Sequence, residues 1–166
     1  AYIRDLFVFA SFTALSFVDI KELTTDDIVE INGEKWILSK RHKTKVNFQV
    51  KLLEIPLQII KRYERFQEDK LVFPNLNYWN ICKPLKKMIK ECGISKDISF
   101  HCTRHGFATL ALSKGVPIES VSRVLGHTNI TTTQKYAKIT TEKIEKDLTM
   151  FGNRLNQSFS EISIAM

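Results

Sequence analysis

The sequence predicts a mixed α+β domain, mainly helical, with one small antiparallel hairpin. Two observations carry this. Most of the chain divides into helix-length stretches punctuated by proline at their starts and glycine at their ends. One region between them alternates apolar and polar residues with a period of two. A third observation narrows the class: strands and helices do not alternate as βαβ units, and no G-x-x-x-x-G-K-[ST] occurs, so a doubly wound nucleotide-binding fold is disfavoured. At 166 residues the chain is long enough for one domain with a real core.

Residues 2–15 are apolar almost all round and predict a buried helix. Leu23 to Ile28 has the composition of a connecting segment, and Asn32-Gly33 marks a tight turn. Lys35 to Ser39 predicts a short strand, followed by a polar tip at Arg41-His42-Lys43-Thr44. Val46, Phe48, Val50 and Leu52 then alternate with Asn47, Gln49 and Lys51, which predicts a half-buried strand pairing back on the first. Pro56 fits the first turn of a helix running to about Glu68, and Leu71 to Pro74 is an extended stop. Further helices are expected from about Asn77 to Cys92, from His101 to Ser113, from Pro117 to a stop at Gly126, over Thr132 to Ala137, and over Thr141 to Phe151. The main domain is expected to span residues 1–152, with 153–166 an apolar-spotted tail.

The charge balance of +7 favours a polyanionic partner, nucleic acid first among them. The three cysteines (Cys82, Cys92 and Cys102) are odd in number and contain no C-x-x-C pair, against disulfide frameworks and zinc ribbons alike. They read as buried small hydrophobes in a reduced, cytoplasmic setting. The apolar stretch from Leu6 to Val18 is too short and too interrupted for a membrane span. The chain opens within that stretch without an evident leader, so it reads as a domain of a longer protein.

Two segments concentrate chemistry. In Phe100-His101-Cys102-Thr103-Arg104-His105-Gly106-Phe107-Ala108-Thr109, a helix places His101 and Arg104 one turn apart on one face. A guanidinium fork beside an imidazole suits the oxygens of a phosphate. In Leu125-Gly126-His127-Thr128-Asn129-Ile130-Thr131-Thr132-Thr133-Gln134-Lys135-Tyr136, His127 follows a helix-ending glycine and Tyr136 lies nine residues on. Taken alone, the first segment reads better as a solvated basic helix face, and the second as a turn followed by an amphipathic surface tyrosine.

Taken together and in order, H-x-x-R-H-x-F-A-T, L-G-H and T-T-x-x-Y resemble the signature of the tyrosine recombinases and integrases, including those of conjugative or mobilisable transposons. The resemblance covers nearly the whole chain: residues 12–20 look like that family's first catalytic box, and the hairpin with Arg41-x-Lys43-Thr44 looks like its lysine-bearing β-turn. It implies the catalytic-domain fold of that family and a metal-independent strand transfer needing no cofactor. Tyr136 would be the nucleophile, giving a 3′-phosphotyrosyl link. Arg104, His101 and His127 would hold the non-bridging oxygens, and Lys43 would protonate the leaving 5′ oxygen, with Lys40 a rival because hairpin alignments slip. Fixed cations stabilise the charge of the pentavalent phosphorane more than that of the ground state. Arg41, His42, Lys45, His105 and Lys135 are the expected DNA contacts.

The sequence departs from the family in one place. The first box usually reads T-G-L-R, whereas here it is Thr13-Ala14-Leu15-Ser16. Loss of one charged clamp costs on the order of 3 kcal/mol of transition-state stabilisation. Ser16 is therefore expected beside the catalytic pocket, Asp19 holds the box's acidic position, and a second cation from Arg41 or Lys40 stays open. So do two other readings: a DNA-binding module with weakened or lost catalysis, and a topoisomerase sharing the tyrosine mechanism. The expected partners are double-stranded DNA and other copies of the protein in a tetrameric synapse, with this domain alone a monomer, in a bacterial cytoplasmic setting.

Overall fold

The computed structural model describes residues 1–42, 45–67, 69–137 and 141–164. Ala1–Tyr136 forms one compact unit and Ala137–Met166 a second. In the first, helix α1 (Tyr2–Thr13) is central: Leu6, Phe9 and Ala10 are fully buried. It ends at Ala14, which takes a left-handed conformation (φ 56°). That position costs an alanine about 1–2 kcal/mol; glycine would take it freely. Helix α2 (Phe17–Lys21) follows at once. Ser16 caps it, accepting from Asp19 N while Asp19 accepts from Ser16 N.

The sheet has three antiparallel strands in the order β1 (Ile28–Ile31), β2 (Glu34–Lys40), β3 (Asn47–Lys51). The expected hairpin is β2–β3, in register Ile37↔Val50 and Lys40↔Asn47. Phe48, Val50 and Leu52 face the core as their alternation predicted. Strand β1 is an addition. Asn32-Gly33 marked a turn, but the arm before it is only four residues long, half of it exposed, and lacks clear alternation.

Helix α3 (Glu54–Tyr63) ends before Glu68 and passes into a 3-10 turn over Glu64–Phe66. Helix α4 (Tyr78–Glu91) is capped by Asn77 and buries Ile81, Leu85 and Ile89. Helices α5 (Cys102–Ser113), α6 (Ile118–Leu125) and the single turn α7 (Thr131–Gln134) follow the predicted order. The main core gathers α1, α3, α4 and the inner face of the sheet, whereas Ala14, Ala108, Val121 and Leu125 form a smaller cluster between α5 and α6. Cys92 is exposed and Cys82 and Cys102 are half-buried, so none is the fully buried hydrophobe expected.

The second unit is one helix, α8 (Thr141–Ile164), of 24 residues. It runs through the boundary expected at 152/153, past which an apolar-spotted tail was expected. Ile144, Leu148, Phe151, Leu155 and Phe159 recur at spacings of three and four, and that helical period continues past Phe151. Among the described residues no helix is long and apolar enough to cross a membrane.

Candidate active site around the end of helix α6

Helix α6 ends at Gly126, whose φ of 60° and ψ of 40° turn the chain sharply and leave the last carbonyls of the helix open. Two guanidinium groups fill that vacancy. Arg41, from the end of β2, donates from Nη2 to Val124 O at 2.6 Å and from Nε to Leu125 O at 3.2 Å. Arg104, on α5, donates to the same Leu125 carbonyl and from Nη1 to Ala14 O at 3.0 Å. The negative end of the helix dipole favours both cations. Gly126 is required for a second reason: a Cβ there would lie 2.9 Å from both Cγ and Nε of Arg41.

Arg41 is buried, and its counter-ion is Asp19 at 2.6 Å. Asp19 Oδ2 also accepts from the Ser16 hydroxyl at 2.7 Å, and Oδ1 accepts from His42 N at 3.2 Å. Burial by itself would raise the Asp19 pKa, but the Arg41 charge and these hydrogen bonds outweigh it and hold the carboxyl below its ordinary value. The Arg41 guanidinium lies 4.0 Å from the centre of the Phe48 ring.

These facts revise two expectations. Arg41 was expected to contact DNA, but it is buried, and each of its three guanidinium nitrogens donates inside the protein. The Ser16 hydroxyl was expected to face the phosphate, but its hydrogen goes to Asp19. Serine in the first box thus holds the acid that holds Arg41, and Arg41 sets a second guanidinium beside Arg104.

Burial, then the nearby Arg41 charge, push the Arg104 pKa down to about 10, which leaves it protonated near neutrality. Burial, then Arg104, Lys135 and Arg41, push His127 down to about 4, so it is neutral there. Its Nδ1 lies 2.8 Å from Thr133 Oγ1, a buried hydroxyl at the heart of α7. Tyr136 follows α7, anchored by Tyr136 N to Thr133 O at 3.0 Å, so one threonine positions both the histidine and the tyrosine turn.

The Tyr136 hydroxyl lies 2.6 Å from His105 Nδ1, and its charge is close enough to influence Arg104. His101 is exposed at the start of α5, its ring 4.5 Å from that of His105. Lys135 is exposed, with its ammonium 5.0 Å from the centre of the Tyr136 ring. Lys40 is exposed at the end of β2 and shares a shallow cleft with Asn47, Gln49 and Arg123. His42 is exposed and 3.2 Å from Glu22, and Lys45 is exposed at the base of the hairpin tip. Lys43 lies outside the described residues.

The carbonyls of Ala14, Val124 and Leu125 are site components that sequence reasoning missed; backbone acceptors leave no side-chain signature. Thr133 was quoted within the motif without a role. Among the described residues no group of three or more His, Cys, Asp or Glu side chains gathers as a metal site.

The model of the phage integrase family matches residues 1–143, and the chain belongs to that family. The tyrosine recombinase XerC of Myxococcus xanthus is 29% identical over 143 residues, covering 76% of this chain and 48% of XerC. The chain spans about half the length of that relative. Among solved structures, the XerH site-specific recombinase bound to its difH substrate in a pre-cleavage complex superposes with a TM-score of 0.70 at 23% identity, over 90% of this chain and 47% of that one. The Tn1549 transposon integrase in complex with a circular intermediate DNA gives 0.69 at 18%, over 89% of this chain and 58% of that one. The fold is therefore that of the tyrosine recombinases.

Proposed function

We propose that this chain is the catalytic domain of a site-specific DNA recombinase from a mobile element, acting in a bacterial cytoplasm on double-stranded DNA and assembling with further copies of itself. The observation that carries the reading is the convergence of Arg104, His127 and Tyr136 around the open end of α6. A phosphodiester seated there meets the protonated Arg104 fork and, with His127 Nδ1 taken by Thr133, the Nε2 of a neutral histidine. Tyr136 attacks the phosphorus and displaces the 5′ oxygen, leaving a 3′-phosphotyrosyl bond that a second strand's 5′ hydroxyl reverses. Arg104 and His127 stabilise the equatorial oxygens of the phosphorane, and His101 completes the set from the rim of α5. Lys43 protonates the leaving oxygen, with Lys40 its rival. Arg41, fixed by Asp19, supplies the positive field that the first box lacks. Its effect is electrostatic rather than through direct contact, because Arg41 is buried whereas Arg104 is only half-buried.

The test is covalent trapping. Full-length protein is incubated with nicked duplexes drawn from the ends of the element that carries its gene, so that cleavage releases a short strand and cannot reverse. The native protein forms an adduct resistant to denaturation. Tyr136→Phe forms none but binds the duplex with nearly unchanged affinity. An adduct of undiminished yield from Tyr136→Phe would show that another residue attacks.

A further inference from the structure

The proposed chemistry leaves the attacking group's own proton without a destination. A phenol is a weak nucleophile until it gives up its proton. Its proton must leave as the oxygen–phosphorus bond forms, and Arg104, already protonated, cannot take it. His127 is turned toward Thr133 through Nδ1. The nitrogen in contact with the Tyr136 oxygen is His105 Nδ1, at 2.6 Å.

The placement follows from helix geometry and the following turn. His105 sits one turn along α5 from His101, and the two rings meet edge to face at 86°. The Tyr136 ring packs against the Ala14, Ala108, Val121 and Leu125 cluster, and its centre lies 5.3 Å from that of His105. The oxygen is thereby held toward the imidazole and close to the Arg104 charge.

We propose that His105 is the general base of the cleavage step and takes the Tyr136 proton as the phenol attacks. This rests on the recombinase reading above. In the forward step the Tyr136 oxygen bonds to phosphorus, its hydrogen passes to His105 Nδ1, and the bond from phosphorus to the 5′ oxygen breaks. That oxygen keeps the electron pair and takes a proton from the general acid. Religation runs the sequence backwards, and His105 returns its proton to the tyrosine. The required tautomer carries hydrogen on Nε2, so Nδ1 is free to accept.

Among the described residues, the charged and titratable groups facing the ring are His101 and Arg104 from α5 and its start, and Lys135 and Tyr136 from the segment after α7. Burial, then His101, Lys135 and Arg104, hold the His105 pKa below its ordinary value, so the imidazole is a neutral acceptor at neutral pH. The same cations steady the phenolate as it forms.

The experiment follows adduct formation by the full-length protein on the nicked duplex, at single turnover, from about pH 5.5 to 9.5. The native rate is expected to level off once His105 is neutral. His105→Gln keeps an acceptor oxygen for the hydroxyl but cannot take a proton. Its rate at pH 7 should fall about 10²- to 10⁴-fold, then climb tenfold per pH unit as hydroxide replaces the base. His105→Ala should be slow in the same way, and added imidazole should restore part of its rate. Native-like rate and pH profile in His105→Gln would overturn the proposal. A uniform loss with the native profile and no imidazole rescue would also overturn it, since the ring would then only position Tyr136. A native protein that forms no adduct on any such duplex would instead fail the recombinase reading itself.

Discussion

Arg41 has the most consequential side chain outside the motif. A buried guanidinium bonded to one carboxylate and two helix-end carbonyls is well compensated, but its removal strands Asp19 in the interior. Breaking a buried pair from one side costs about 3–5 kcal/mol, so Arg41→Ala should lower unfolding stability by that amount in urea titration. A loss below about 1 kcal/mol would mean that water or the chain replaces the ion pair. Gly126→Ala acts on the same contact from the other side. Its Cβ meets the Arg41 stem at 2.9 Å, and the left-handed backbone adds a further ~1–2 kcal/mol of strain. Ser16→Ala removes only a cap and one bond to Asp19, worth about 1 kcal/mol. For cleavage the order reverses in part. Arg104→Ala removes the guanidinium assigned to the phosphate and should cost at least about 10² in adduct rate, far more than Ser16→Ala.

Among the elements, the β2–β3 hairpin is the one whose sequence and structure answer different questions. Its stem, from Lys40↔Asn47 inward, is fixed by the pleat: Phe48, Val50 and Leu52 must face the core, and a one-residue slip would expose all three. The stem therefore fixes Lys40 as an exposed residue at the mouth of the tip, five positions before Lys45. The choice of general acid is then chemical. Lys43→Ala should slow cleavage of an ordinary phosphodiester far more than cleavage of a 5′-bridging phosphorothiolate, because sulfur leaves without a proton. Equal slowing on both substrates would transfer the acid role to Lys40. The hairpin also shows what was legible in advance. Side-chain periodicity disclosed strands β2 and β3 and the long helices, and glycine and proline disclosed most helix ends. Strand β1 escaped because four residues hold too little alternation. The last turns of α8 escaped because an exposed amphipathic helix without an inner core has the composition of a tail. At the site, Arg104, His127 and Tyr136 were picked out by the order of the motifs and the family they resemble, not by residue type alone. The role of Arg41 could not be read, because its partners are backbone carbonyls of a helix more than eighty residues away in sequence.

At the scale of the whole molecule, Arg41, Arg104 and Lys135 act on two histidines that are kept neutral. Burial first, then Arg104, Lys135 and Arg41, hold His127 at about 4, and His105 is lowered from the same quarter. A histidine whose pKa is lower folded than unfolded binds fewer protons in the native state. Its contribution to stability is complete above the unfolded value of about 6.5 and declines as pH falls from there toward the folded value. Asp19 and Asp5 are lowered too, Asp5 against its own burial by bonds from Tyr63, Arg4 and Arg62. Their contributions are complete above about 3.9 and decline below it. Thermal unfolding should therefore be steady above about pH 7, weaken between about 6.5 and 4 through the histidines, and weaken again in stronger acid through the carboxylates. DNA reverses the histidine part of this balance. A phosphate seated on Arg104 places a negative charge beside His127 and offsets the cations that suppressed its protonation, so binding should draw a proton onto the imidazole. Calorimetric titration of DNA into the protein near pH 5.5, repeated in buffers of differing ionisation enthalpy, should show net proton uptake. His127→Asn should reduce that uptake at matched salt, while the salt dependence of affinity, set by the phosphates contacted, stays nearly the same. Binding heats that do not vary with buffer would mean that the phosphate sits away from His127, and the clamp proposed at the end of α6 would fail with it.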